Sequence, residues 1–321
     1  MSGWGRRVLV GDSAGESAEG AEALAPGGRK PDARHAANPL VRFIAFLNRK
    51  NVMLFLGCAC GIVLLALVLF GRFLEPNDPT AMDLTQTFVA PCAKYPFGTD
   101  NLGRCIFSRV IEGAAVSLPT AVLVVLVSVI AGTLIGLLSG FVGGRVDAII
   151  MRIVDVFLAF PTIVFALAMA ALLGTGQASL VVAISCIQWT RYARMARGEV
   201  VLLRNAEYVE AGRAIGNPRW RIMLKYLLPN VASKNIILMS LDVGSIILYC
   251  ASLSFLGLGA QPPTPDWGVM VSDGKDYLRH APWMSVFPGV AIAFSALSFN
   301  MIGDGLRDKL DPRMRESAVT E

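Results

Sequence analysis

Hydrophobic and polar positions in this chain fall in long blocks. Asn51–Gly71 runs 21 residues without a charge, and Gly113–Gly144 runs 32. A membrane-crossing helix needs about 20 consecutive apolar residues, so the blocks predict spans. Six are expected, at 52–71, 116–141, 149–173, 178–197, 232–256 and 283–304. The fourth has only Ala178–Thr190 before Arg191. Its inner end is expected to continue as helix past the bilayer, with Arg191, Arg194 and Arg197 snorkelling toward headgroups. Leu40, Phe43, Ile44 and Leu47 recur at helical spacing and predict a short amphipathic helix over 39–50, ahead of the first span.

The pattern divides the chain. Residues 1–38, rich in Gly, Ala, Ser, Glu and Arg, lack a signal-peptide pattern and read as a disordered cytoplasmic tail. Residues 39–72 hold the amphipathic helix and first span, 73–115 an outer loop, 116–305 the transmembrane core and 306–321 a second cytoplasmic tail. The fold class expected is an all-α polytopic membrane protein.

Composition agrees: 54% of residues are hydrophobic and 17% charged, where soluble domains carry about 25% charge. The net charge of +5 marks topology rather than nucleic acid, because the basic residues flank the spans. Eight lie between Arg191 and Lys225, and Arg307, Lys309, Arg313 and Arg315 follow the last span. The positive-inside rule then puts both termini in the cytoplasm. No Cys/His cluster suggests a metal. Cys92 and Cys105 fall in the outer loop, where a disulfide between them is open.

One polar segment interrupts the apolar blocks, Glu207–Asn230. Glu207–Ala214 has helix formers and an acidic start. Gly216 is placed as its stop. Asn217 is expected to cap a second helix with Pro218 at its first position, and Pro229 to close the segment. Trp220, Met223, Leu224 and Leu227 share one side of that helix, and Ala211, Ala214 and Ile215 are offered to a partner. The reading is a helix–turn–helix along the inner membrane surface.

The spacing Glu210-Ala211-Gly212, three residues, Gly216, nine residues, Tyr226-Leu227-Leu228-Pro229 resembles the "EAA" loop of ABC importer permeases. Gly212 stands where that pattern has a second Ala, and Tyr226 where it has Ile. The resemblance covers about 95–313 and is to the "C" permease of the dipeptide/oligopeptide/nickel importers. It rests also on Phe97–Arg104 (FGTDNLGR), Ser252–Gly259 (SLSFLGLG), Pro265–Gly268 (PDWG) and Phe299–Asp308 (FNMIGDGLRD) followed by Leu310-Asp311-Pro312. It implies the type I importer fold and an ATPase-coupling loop at Glu207, Glu210, Ala211, Gly212, Gly216 and Pro229. It further implies a second homologous permease, two ATP-binding cassette ATPases and an extracytoplasmic substrate-binding protein as partners, in a bacterial inner membrane. No catalytic residue or cofactor is expected, and the chain has no Walker A pattern. Many peptide permeases of this family have Glu where Cys250 stands here, which leans toward a nickel or metal-chelate cargo, with peptides as the larger group.

Acids inside spans are functional candidates by default. Asp155 is read as near-buried and paired with Arg145 or Arg152. Asp242 has no local partner and is a candidate for the translocation path or its gate, or for hydrogen bonding between helices. Asn300 and Asp304 fit capping or an interface, and Asp155 and Asn300 are, with Asp242, candidates for the translocation path or its gate. Gly132, Gly136 and Gly140 permit close helix approach, within the chain or to a second permease. Two rival readings are an ion-driven secondary transporter, which needs paired intramembrane acids or broken repeated helices, and a non-transport scaffold.

Overall fold

The computed structural model describes residues 49–310. The tail at 1–38, the amphipathic helix except its last two residues, and the end of the second tail lie outside the described residues. The chain is helical: α1 (Arg49–Phe70), α2 (Ile106–Val142), α3 (Gly144–Leu158), α4 (Thr162–Leu173), α5 (Gln177–Leu203), α6 (Glu207–Ala214), α7 (Arg219–Phe255), α8 (Trp267–Gly274) and α9 (Trp283–Leu310). The described residues contain no strand, only an isolated bridge between Thr99 and Cys105.

Among the described residues, four helices are long and apolar enough to cross a membrane: α1, α2, α7 and α9. The expected third span is instead broken. α3 and α4 meet at 92°, and neither alone reaches the roughly 30 Å of a hydrocarbon core at 1.5 Å per residue. The cause is Pro161, which sits extended at φ −58°, ψ 127° and disfavours helical geometry in the residue before it. α5 has the length to cross, but Arg191, Arg194, Arg197 and Glu199 make it too polar to count with the apolar four. Two helices also begin well before the expected points. α2 starts at Ile106 and α7 at Arg219, because polar residues extend both past the apolar blocks.

α2 and α5 pack backbone to backbone. A Cβ on Gly132 would collide with the Trp189 carbonyl, one on Gly136 with the Ala193 carbonyl, and one on Gly140 with Val200. The glycine stripe therefore serves packing within this chain. α1 leans on α9 in the same way, Gly57 and Gly61 against Ile302 and Gly305 against Leu54. The other face of α1 exposes large apolar side chains such as Ile62 and Leu69, as a lipid-facing helix must.

On the side away from α6, a buried cluster of Val124, Leu180, Ile184, Ile246, Leu253 and Trp267 ties α2, α5, α7 and α8 together. Residues 71–105 close over that end as an ordered loop. The Asp100 carboxylate accepts the Leu102 and Arg104 N–H groups, both at 2.9 Å, and pairs with Arg104 Nε at 2.6 Å. Cys92 is exposed and Cys105 buried, and both are free thiols.

Candidate functional site

α6 is eight residues long and ends in a turn that its sequence explains. Gly216 sits at φ +80°, a left-handed conformation costly for a residue with a Cβ. That geometry lets Gly216 N–H reach the Arg213 carbonyl at 3.0 Å and Asn217 N–H reach the Gly212 carbonyl at 3.2 Å. This bond pair is a Schellman motif, which satisfies the last carbonyls of the helix. Asn217 Nδ2 then donates to the Tyr226 hydroxyl at 3.1 Å, and the Tyr226 ring lies against Gly212. The two positions that depart from the loop pattern, Gly212 and Tyr226, thus touch each other.

The second half differs from expectation in three ways. Pro218, not Asn217, is the capping residue: its carbonyl accepts from Arg221 and Ile222 N–H, and the Asn217 side chain is engaged elsewhere. The inward face is Ile222, Leu227 and part of Met223 and Tyr226, whereas Trp220 and Leu224 look outward. The reason is that Ile222–Leu227 is wound as a π-helix. Its wider winding, with i→i+5 hydrogen bonds, brings Leu227 round toward the side of Ile222, while an α-helical period selects Trp220, Leu224 and Leu227. Pro229, finally, does not close the segment. It lies inside α7 just after the π turn, which accommodates its missing N–H, and Asn230 Nδ2 donates to the Tyr226 carbonyl at 2.9 Å.

The resulting element has a buried base and an open crest. Val209, Ile222, Leu227 and Val231 pack with Leu137, Ala196 and Val200 of α2 and α5. Glu207, Glu210, Ala211, Ala214 and Gly216 are exposed, as is Pro229, and Ile215 is 77% exposed. Gly212 alone of the predicted loop residues is buried.

The intramembrane acids land differently. Asp242 is 3% exposed and pairs with Arg191 Nη1 at 2.8 Å. Asp155 is exposed rather than near-buried, and its partner is Arg194 at 2.5 Å, not Arg145 or Arg152. Helical geometry sets this choice, since α3 lies beside α5 and directs Asp155 across the gap. Arg197 completes the series with a two-pronged pair to Asp147, at 3.1 and 2.7 Å, while Ser139 Oγ donates to the same carboxylate. The three arginines of α5 therefore bind aspartates of α7 and α3. Sequence reasoning saw both sets and missed the pairing, because partners 39 to 51 residues apart carry no local signal. Asn300 is exposed, with its carboxamide against Gly244, and Asp304 is exposed. Arg191, Arg194, Met195, Gly198, Leu202 and Leu238 line an open groove of about 730 Å³. The described residues contain no cluster of metal-ligating side chains.

Comparison with known proteins matches residues 132–316 to the family of binding-protein-dependent transport system inner membrane components. The chain is 42% identical over 252 residues to a probable D,D-dipeptide transport system permease protein of Escherichia coli (strain K12), covering 78% of this chain and 85% of that one. It is 40% identical over 255 residues to a glutathione transport system permease protein of Pectobacterium atrosepticum, covering 79% and 85%. It is 41% identical over 254 residues to a nickel transport system permease protein of Escherichia coli (strain K12), covering 79% and 92%.

Proposed function

The chain belongs to the family of binding-protein-dependent transport system inner membrane components, and on that premise we propose which parts of this ABC importer permease transmit force and which line its path. The relatives' names support a cargo of peptides, glutathione-like solutes, or nickel and its chelates. The working complex joins this chain to a second homologous permease, two ATPase subunits and an extracytoplasmic substrate-binding protein. α5 makes a sixth crossing beside α1, α2, the bent α3–α4 pair, α7 and α9. Both termini and α6 lie in the cytoplasm, in line with the basic residues from Arg191 to Lys225. Residues 116–305 form the transport core, between the outer loop and the cytoplasmic tail at 306–321.

The observation that carries this reading is α6: an exposed crest on a buried base, closed by its own hydrogen bonds. Such an element moves as a rigid piece. Glu207, Glu210, Ala211 and Ile215 seat in an ATPase subunit, Gly212 and Gly216 shape the turn, and Pro229 lies in α7 just past the π turn, where the lever continues into the span. Closure of the ATPases on ATP then turns the helices joined to α6, a domain motion transmitted through a packed element. Asp242, Asp155 and Asn300 lie along the path or its gate. An acid in a span held by an arginine fits that role as well as it fits structure. Two tests apply. Cysteines placed at Ala211 and Ile215 should crosslink to an ATPase subunit, and Glu210→Arg should abolish uptake while the protein stays in the membrane. Wild-type uptake by that variant, or crosslinks that never reach an ATPase, would overturn the docking role.

A further inference from the structure

The interior shared by α2, α5 and α7 changes character along its length. Away from α6 it is apolar, with Val124, Leu180, Ile184, Val243 and Ile246 in one cluster. Beside α6 it is apolar again. Between them lies a polar belt: Gln188 and Tyr192 on α5, Asn235 and Asp242 on α7, each at most 3% exposed.

Only part of the belt's bonding capacity is used. Asn235 Nδ2 donates to Thr133 Oγ1 of α2 at 2.7 Å, but its Oδ1 has no partner among the described residues, and neither has Gln188 Nε2. Asp242 Oδ1 binds Arg191. Its Oδ2 lies beside the Tyr192 hydroxyl without an aligned hydrogen bond. Buried polar atoms are nearly always paired, and leaving them unpaired costs free energy. Here a buried donor, Gln188 Nε2, is unused on the helix that faces Asp242.

Their register is informative. α5 and α7 are antiparallel, with α6 joining them at one end. Gln188 precedes Arg191 by three residues, about 4.5 Å along the axis at 1.5 Å per residue. A slide of α7 by about one turn, away from α6, brings Asp242 level with Gln188. The helices on either side resist internal adjustment. α2 is locked to α5 through Gly132 and Gly136, and α7 to α9, where a Cβ on Gly244 would meet Asn300 and one on Gly303 the Ser240 backbone. The belt, made of side-chain bonds, is the compliant layer between two backbone-tight pairs, and packed interfaces of this kind hold discrete positions rather than deforming smoothly.

Resting on the permease reading above, we propose that the belt is a two-position joint between the α2–α5 and α7–α9 pairs, in which Gln188 takes over Asp242 when α6 is driven by its partner. Gln188 is a positioning residue for transport, idle in the resting position and engaged in the other.

The test uses the assembled complex in lipid nanodiscs, with spin labels introduced as noncanonical residues at exposed sites. Leu202 and Ile236 report across the belt, and Leu138 with Leu202 and Ile236 with Leu297 report within the locked pairs. Trapping with ATP and vanadate should change the Leu202–Ile236 distance by about 4–5 Å and leave the other two within their resting spread. Gln188→Leu should assemble with unchanged resting distances, melt no lower than wild type, and lose the shift. A complex that hydrolyses ATP with all three distances fixed, or a Gln188→Leu complex that shifts like wild type, overturns the joint and leaves the permease reading standing. A chain that assembles with no ATPase overturns both.

Discussion

The two ends of the bundle are closed by bonds of opposite range. At the α6 end the turn is made by neighbours: Gly216 to Arg213, Asn217 to Gly212, and Asn217 to Tyr226 nine residues away. At the other end distant segments meet. Trp267 Nε1 donates to the Val110 carbonyl 157 residues away at 2.8 Å, and Trp283 Nε1 to the Thr99 carbonyl 184 residues away at 3.1 Å. An element closed by its own neighbours keeps its shape while its surroundings move. An end stitched by long-range contacts fixes helices relative to one another. On the proposed reading the α6 end is the lever and the opposite end the clamp, and the two differ in contact range.

The largest effect expected is at the clamp. Trp267 is 2% exposed and fills the space over Gly113. Trp267→Ala should cost about 3–5 kcal/mol, the range for a large buried side chain, read as a lowered melting temperature of the purified protein. A shift no larger than that of an exposed control such as Leu297→Ala would break the distinction. Next comes the lever's turn. Gly216→Ala forces a Cβ into positive φ with nothing crowding it, so strain alone acts, about 1–2 kcal/mol. Global melting should barely move, while crosslinking from Ile215 to an ATPase falls. A drop in melting as large as that of Trp267→Ala would show that the turn is not an independent unit.

Gly212→Ala should go the other way. An added Cβ would touch the Tyr226 ring at 3.4 Å, ordinary contact, and alanine favours helix over glycine by about 1 kcal/mol. The α6 amides should exchange more slowly with solvent, with uptake retained. Faster exchange would mean that Gly212 and Tyr226 are fitted more tightly than this distance implies. The smallest effect concerns pH at the clamp. Burial, then the hydrogen bond and charge of Glu112, push Glu75 up to about 7 from 4.5. A carboxyl raised in the folded state gives its full stabilisation below its ordinary value and loses it as pH rises through the folded one. Hydrogen exchange in 74–81, corrected for its intrinsic pH dependence, should therefore increase between pH 5 and 8 and become flat in Glu75→Gln. A wild-type profile that is already flat would remove this electrostatic weak point from the clamp.

Much of the molecule was legible from order along the chain. Charge-free runs predict helices in lipid because an unpaired backbone cannot stay there. Glu207–Gly216 predicts a capped, acidic-fronted helix because those signals act within a few residues. Its glycine stop and the exposure of Ala211 and Ile215 follow from the same local chemistry. The π turn over Ile222–Leu227 did not follow, since a change of period from 3.6 to wider winding leaves no residue-type signature, and so Trp220 and Leu224 were assigned to the wrong face.

What only the tertiary structure decided is which residues meet across helices. Composition makes Arg191, Arg194 and Arg197 a basic stripe, and Asp147, Asp155 and Asp242 scattered acids. Folding joins them into three pairs. It also bends the third span at Pro161 and sets a polar belt between two apolar clusters. Hydrophobicity and capping are properties of a residue and its near neighbours, so the sequence determines them alone. An ion pair or a bend angle depends on where a helix dozens of residues away comes to lie, and that position exists only once the chain has packed.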